Sequence, residues 1–248
     1  VRGFTNLCLR GGIRGREAAG TFAELVAVKE GDAFPFPDKV SFAAATNFVG
    51  LYTVVYSQRK APYIPGARVA VIGAGSTGLL HIQLARASGA GSVIAITRSP
   101  WKLEMARKLG ADHLVRAGEG DAVQQVKDLT GGLGAEVVIE TAGTAETMRQ
   151  AYGMVRPGGA ILQFGIGPKE VDGIPGQAYY FKDLTVIGSR AGLAEDFERA
   201  IRLVAAGRID LEPLVTHRFP LAQIQQGFEF IEKGGDGGTL RAVIEVGK

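Results

Sequence analysis

The chain has 248 residues, 46% of them hydrophobic and 21% charged, with a formal net charge of +3. That is the balance of an ordinary globular protein, long enough to bury a substantial core in one large domain or two small ones. Its basic residues are spread out, which argues against nucleic acid. No run of about 18 uncharged apolar residues occurs and no signal-peptide pattern, so no membrane partner is expected and the cytoplasm is the default location.

The one cysteine, Cys8, excludes an internal disulfide and leaves the redox compartment open. The opening residues, VRGFTNLCLRGGIRGREAAGTFAELVAV, contain no obvious starting element and read as the middle of a domain. GTFAELVAV (20–28) predicts a strand with Val26 and Val28 on one face. Ser41 is placed to cap a helix. AAATNFVGLYTVVYSQ (43–58) carries Ala44, Phe48, Leu51 and Val55 at helical spacing and predicts one buried helix. Pro62 and Pro65–Gly66 mark a turn.

From residue 68 the rhythm changes. VAVIG (69–73) reads as a strand, STGLLHIQLARASG (76–89) as a helix stopped by Gly89, and SVIAIT (92–97) as the next strand. SPWKLEMARKLG (99–110) predicts a helix with Ser99 as cap, Pro100 first and Gly110 as stop. Then come HLV (113–115) as strand, DAVQQVKDLTGG (121–132) as helix, AEVVIET (135–141) as strand, TAETMRQAYGMV (144–155) as helix, and GAILQFG (159–165) and LTVIGS (184–189) as strands. Strands alternating with helices predict a doubly wound parallel sheet, and the wholly apolar runs suit strands buried on both faces. EDFERAIRLVAAG (195–207) and FPLAQIQQGFEFIEKG (219–234) read as helices and LRAVIEV (240–246) as a closing strand.

The turn between the first such strand and its helix holds Gly73, Gly75 and Gly78 in the order G-x-G-x-x-G. Between a strand and a helix this pattern points to a dinucleotide. Gly73 allows the tight turn, Gly75 lets backbone approach a pyrophosphate, and Gly78 lets helix and strand pack closely. The helix start offers free N–H groups to the anion. An acidic residue at the end of the second strand would bond the ribose 2′-hydroxyl and favour NAD. Here that strand ends in Thr97–Arg98, with Lys102 a turn further on. A guanidinium there suits a 2′-phosphate, so NADP is expected ahead of NAD. The absent carboxylate also argues against S-adenosylmethionine.

Other candidates are weaker. His81, His113 and His217 have no Cys or His at ligand spacing. Ser76 lacks the G-x-S-x-G setting of a hydrolase nucleophile. Phe164, Phe228 and Phe230 read as core.

Together NLC (6–8), GTFAE (20–24), PGARVAVIGAGSTGLLHIQLARASGA (65–90), KLEMARKLGADH (102–113), EVVIETAG (136–143), RPGGAILQFGIG (156–167) and GTLRAVIEV (238–246) resemble the medium-chain dehydrogenase/reductase family, the zinc-type alcohol dehydrogenases, along essentially the whole chain. The resemblance implies a Rossmann domain at 48–190, between part of a β-rich, GroES-like catalytic domain (1–47) and its closing segment (191–248). It implies an oxidoreductase that moves hydride between a nicotinamide and a small-molecule alcohol or carbonyl, commonly as a dimer or tetramer. It places Gly73, Gly75, Ser76, Thr77 and Gly78 at the pyrophosphate and Thr97, Arg98 and Lys102 around the adenosine ribose. It sets Thr141 and Ala142 beside the adenine or ribose, Gly165, Ile166 and Gly167 at the nicotinamide carboxamide, and Arg241 at the pyrophosphate. The family's first catalytic zinc ligand, its Gly-His-Glu motif and most of its structural-zinc cysteines have no counterpart here. Its other catalytic Cys, six residues before an aromatic, falls at Thr46 ahead of Tyr52. A neutral hydroxyl is a poor substitute for a thiolate, so zinc is doubtful, no catalytic residue is assigned, and a zinc-free quinone or enoyl reductase, or a binding module without turnover, stand as alternatives.

Overall fold

A computed structural model describes residues 3–8, 20–62 and 65–247. In chain order its helices and strands are α1 (Phe42–Ala45), α2 (Phe48–Gln58), β1 (Arg68–Ile72), α3 (Ser76–Ala87), β2 (Ser92–Thr97), α4 (Pro100–Lys108), β3 (His113–Arg116), α5 (Ala122–Leu129) and β4 (Ala135–Glu140). They continue with α6 (Ala145–Met154), β5 (Val155–Gln163), α7 (Ala178–Phe181), β6 (Thr185–Gly188), α8 (Ala194–Ala205), β7 (Val215–Pro220), α9 (Ile224–Glu232) and β8 (Arg241–Glu245). The chain divides into two compact units, Gly50–Gly192 on one hand and Val1–Val49 with Leu193–Lys248 on the other.

The unit Gly50–Gly192 is built on a six-stranded sheet in the order β3-β2-β1-β4-β5-β6, parallel at every pairing. The strand order reverses between β1 and β4, the switch point at which such sheets open a crevice at their carboxyl ends. β1 aligns Ile72 with Ile96 of β2 and with Glu140 of β4, so three strand ends finish side by side at that crevice. Val69, Val71, Ile94, Val138 and Ile139 are wholly buried, as expected of central strands covered on both faces. At the opposite end of the sheet Arg68 makes a two-pronged ion pair with Glu136, which also accepts from Arg156 Nε at 3.2 Å. Arg68 holds the Glu136 carboxyl down at about 2.

In the other unit β7 and β8 form a two-stranded parallel sheet, and aromatic rings gather around α8. Phe34 stacks on Phe197 with centroids 4.7 Å apart, and Phe48 lies 6.1 Å from the same ring. Asp196, fully buried, accepts from the Leu193 amide at the start of α8 and pairs with Arg199.

Five expectations are corrected. Residues 20–28 form no strand: they are exposed and pair with no described strand, and an extended segment without a neighbour leaves its amides and carbonyls to water. The single helix over 43–58 is two, α1 and α2, because the Thr46 hydroxyl donates to the Ala43 carbonyl at 2.7 Å and closes the first turn. Ser41 does cap α1, accepting from the Ala44 amide, whereas Ser99 makes no side-chain cap on α4. Phe219 and Pro220 belong to β7 rather than the following helix, and Phe228 is 50% exposed rather than core.

Candidate functional site

β1 delivers the chain to Gly73, whose φ of +98° only glycine adopts without strain. The Gly73 amide donates to the Ile96 carbonyl at 2.8 Å, tying the turn to β2. The Thr141 hydroxyl lies 2.9 Å from the Ile72 carbonyl and 3.1 Å from that of Gly73, tying it to β4. A Cβ on Gly78 would fall 2.0 Å from the Gly73 oxygen, so turn and helix touch backbone to backbone. Around Gly75 there is open space: nothing lies within 4 Å of where its Cβ would be. Gly75 caps α3 without any side-chain hydrogen bond. The start of α3 at Gly75, Ser76 and Thr77 therefore has room beside it for a ligand, with the positive end of the helix behind it. This cradle fits an anion of linked phosphates.

Beside it lies a cleft of about 450 Å³. Ile72, Gly73, Ile96, Thr97 and Arg98 line it, and so do Gly118, Ala142, Thr144 and Gln150. Both carboxylates in its lining are engaged: Asp121 accepts from the Val123 and Gln124 amides at the head of α5, and Glu146 accepts from Gln150. The strand end carries Thr97 and an exposed Arg98. Lys102 is not in the lining; its Nζ lies 5.4 Å from the centre of the Trp101 ring.

The Thr141 hydroxyl bridges strand ends. Ala142 does line the cleft. Gly165, Ile166 and Gly167 follow β5; Ile166 is 97% exposed, and a Cβ on Gly167 would strike Met148. Sequence reading passed over Glu140. It ends β4 fully buried and holds several of these groups together. An acidic residue directly after the apolar run VVI, at the carboxyl end of the strand, was the signal available.

Arg241 sits on β8, in the other unit. Its Nε is buried with no hydrogen-bond partner among the described residues, and burial lowers its pKa. A guanidinium in that condition suits an anion. His81, on α3, is wholly buried. Its Nδ1 lies 3.0 Å from Gln58 Nε2, a donor, while its Nε2 has no partner among the described residues. Burial pushes its pKa down to about 3, so the ring is neutral and packs edge-on against Phe164 at 4.6 Å. Zinc is a poor fit to the described residues. No three His, Cys, Asp or Glu side chains converge among them, and the Thr46 hydroxyl is spent on the Ala43 carbonyl.

A parallel sheet in this strand order, with a glycine turn and an open helix start at its switch point, defines a dinucleotide-binding α/β protein. Residues 76–206 match the zinc-binding dehydrogenase family. The chain is 30% identical over 241 residues to L-threonine 3-dehydrogenase of Bacillus velezensis, covering 97% of this chain and 70% of that protein. Among solved structures it superposes on alcohol dehydrogenase TADH from Thermus sp. ATN1 with a TM-score of 0.88 at 31% identity, covering 97% and 72% of the two chains. It matches a zinc-binding dehydrogenase from Sinorhizobium meliloti 1021 bound to NADP equally well, with a TM-score of 0.88 at 29% identity, over 96% and 70%. The chain belongs to the zinc-binding dehydrogenase family, the alcohol dehydrogenases of the medium-chain type. It is an NAD(P)-dependent oxidoreductase of that class.

Proposed function

We propose that this protein prefers NADP(H) and moves hydride between the nicotinamide and a small alcohol or carbonyl compound. One observation carries the cofactor preference: the end of β2 presents Thr97 and exposed Arg98 to the cleft where an NAD-selective site would present a carboxylate. Arg98 is placed to pair with a 2′-phosphate, and a bidentate guanidinium–phosphate contact adds direction as well as charge. Lys102 adds positive potential from outside the lining. The bound NADP of the Sinorhizobium relative is consistent with this reading.

When bound, the nicotinamide supplies the hydride donor or acceptor. The protein's residues bind and orient it. The amides of Ser76, Thr77 and Gly78 hold the pyrophosphate, Thr97 and Arg98 the ribose end, and Ala142 the base side. The backbone of Gly165, Ile166 and Gly167 holds the carboxamide. In this reading 48–190 is the cofactor domain, and 1–47 with 191–248 belongs to the catalytic domain. We place the protein in the cytoplasm. A homo-oligomer is supported by the short edge strand β6 and by exposed Tyr180 and Phe181 beside it on α7.

Calorimetry of NADPH against NADH tests the cofactor. NADPH should bind more tightly, and Arg98→Ala should weaken NADPH by about tenfold while leaving NADH nearly unchanged, the loss of one charged contact. Tighter NADH binding by the unmutated chain would refute the preference. A zinc-free reductase acting on quinones or activated double bonds is a second reading, favoured by the committed hydroxyl of Thr46. One tightly held zinc per chain at the catalytic position in metal analysis would eliminate it.

A further inference from the structure

Glu140 is a fully buried carboxyl at the crevice end of β4, and the proposed mechanism leaves it unused. Its Oε1 accepts from the Ala142 amide, the Gly143 amide and the Thr147 hydroxyl, each at 2.8 Å. Its Oε2 accepts from the side-chain amide of Gln163, at the end of β5. Its backbone carbonyl accepts from the amides of Phe164 and Gly165, both at 2.9 Å. No Lys or Arg shares these bonds. A buried carboxylate is costly unless fully hydrogen-bonded, and here four neutral donors, two from the turn after β4, one from α6 and one from the end of β5, compensate it.

The turns after β4 and β5 are in contact. A Cβ on Gly165 would fall 2.5 Å from the Gly143 nitrogen and 2.7 Å from Glu140 Oε2, and one on Gly143 would fall 2.6 Å from the Ile166 oxygen. The turn after β4 and the turn after β5 therefore lie backbone against backbone over a single carboxyl. The two carboxyl oxygens divide the work, Oε1 serving the β4 turn and Oε2 the β5 turn. We infer that Glu140 is a positioning residue that sets the Gly165–Gly167 backbone for the nicotinamide end of the cofactor without touching it. This inference rests on the cofactor reading above.

Glu140→Gln isolates the second oxygen. Its remaining carbonyl can still accept at the β4 turn, but its new NH2 faces the Gln163 donor. Titration with NADPH and with adenosine 2′,5′-bisphosphate, which lacks the nicotinamide, reads the two ends separately. We expect NADPH to weaken by about tenfold, one lost hydrogen bond's worth, and the bisphosphate by less than about twofold. In E140Q/Q163E the amide again faces a carboxylate, and NADPH affinity should return to within about threefold of the unmutated value. Gln163→Met, which removes the same donor while leaving Glu140 in place, should shift NADPH in the same selective way and serves if E140Q does not fold. Equal shifts for the two probes, or no shift for NADPH, would overturn the positioning role. Failure of the unmutated protein to bind either probe would instead overturn the cofactor reading and this inference with it.

Discussion

Residues 69–72, VAVI, and residues 22–28, FAELVAV, look alike as sequence, yet they end in opposite conditions. Val69, Ala70 and Val71 are wholly buried at the centre of the sheet, paired with β2 on one side and β4 on the other. Leu25 is 90% exposed, Phe22 58% and Val28 49%, in a segment with no strand beside it among the described residues. An apolar run becomes a strand when neighbours accept its backbone hydrogen bonds, and its side chains gain from burial only then. The difference lies in partners, which hydrophobicity does not reveal.

This contrast can be broken or sharpened by substitution. The largest effect is expected in the paired region. Ile94→Ala, at a wholly buried position of β2, should cost about 3–4 kcal/mol in denaturant unfolding; a cost below about 1 kcal/mol would mean the sheet centre is loosely packed. Next comes the turn that the sheet supports. Gly78→Val places branched carbon against the Gly73 carbonyl and should weaken dinucleotide binding by about a hundredfold or more while the strands persist by circular dichroism.

A smaller, pH-dependent effect is expected at His81. Its folded pKa, about 3, lies below the ordinary histidine value. The unfolded chain therefore binds the proton first. The stability held by the neutral ring is complete above about 6.5 and is lost as pH falls toward 3. Acid titration of Tm should show that loss, on the order of 2 kcal/mol by about pH 5, and His81→Gln should flatten the profile over that window. An unchanged profile would mean that other groups carry the acid sensitivity. The smallest effect belongs to the unpaired segment: Leu25→Ala should change stability by no more than about 0.5 kcal/mol. A loss approaching that of Ile94→Ala would show that residues 22–28 are covered in solution.

Much of the cofactor unit was legible beforehand because its signals are local. β1, β2 and β4 are built on the short apolar runs VAVI, VIAI and VVI. Asp121 caps α5 and Pro100 opens α4, each as its residue type predicts. The glycine turn was legible for the same reason: the chemistry of Gly73 and Gly78 follows from having no side chain, wherever the fold carries them. Arg98 was legible by what it replaces. Glu140 was not. Its importance comes from Gln163, Phe164 and Gly165, which lie more than twenty residues away in the chain and meet it only when β4 and β5 pair in register. The ties of the Thr141 hydroxyl were hidden for a related reason, because its partners, the carbonyls of Ile72 and Gly73, arrive with β1 and the turn after it.

From the amino-acid order alone came the alternation of strands and helices, the phosphate turn and the positive charge at the end of β2. These are short-range properties: periodicity, backbone freedom and the identity of one side chain. The tertiary structure alone decided which apolar runs found partners, that a histidine would be stranded neutral beneath Phe164, and that one carboxyl would join two distant turns. Each of these depends on burial and on hydrogen bonds between segments far apart in the chain, which arise only once the sheet is assembled.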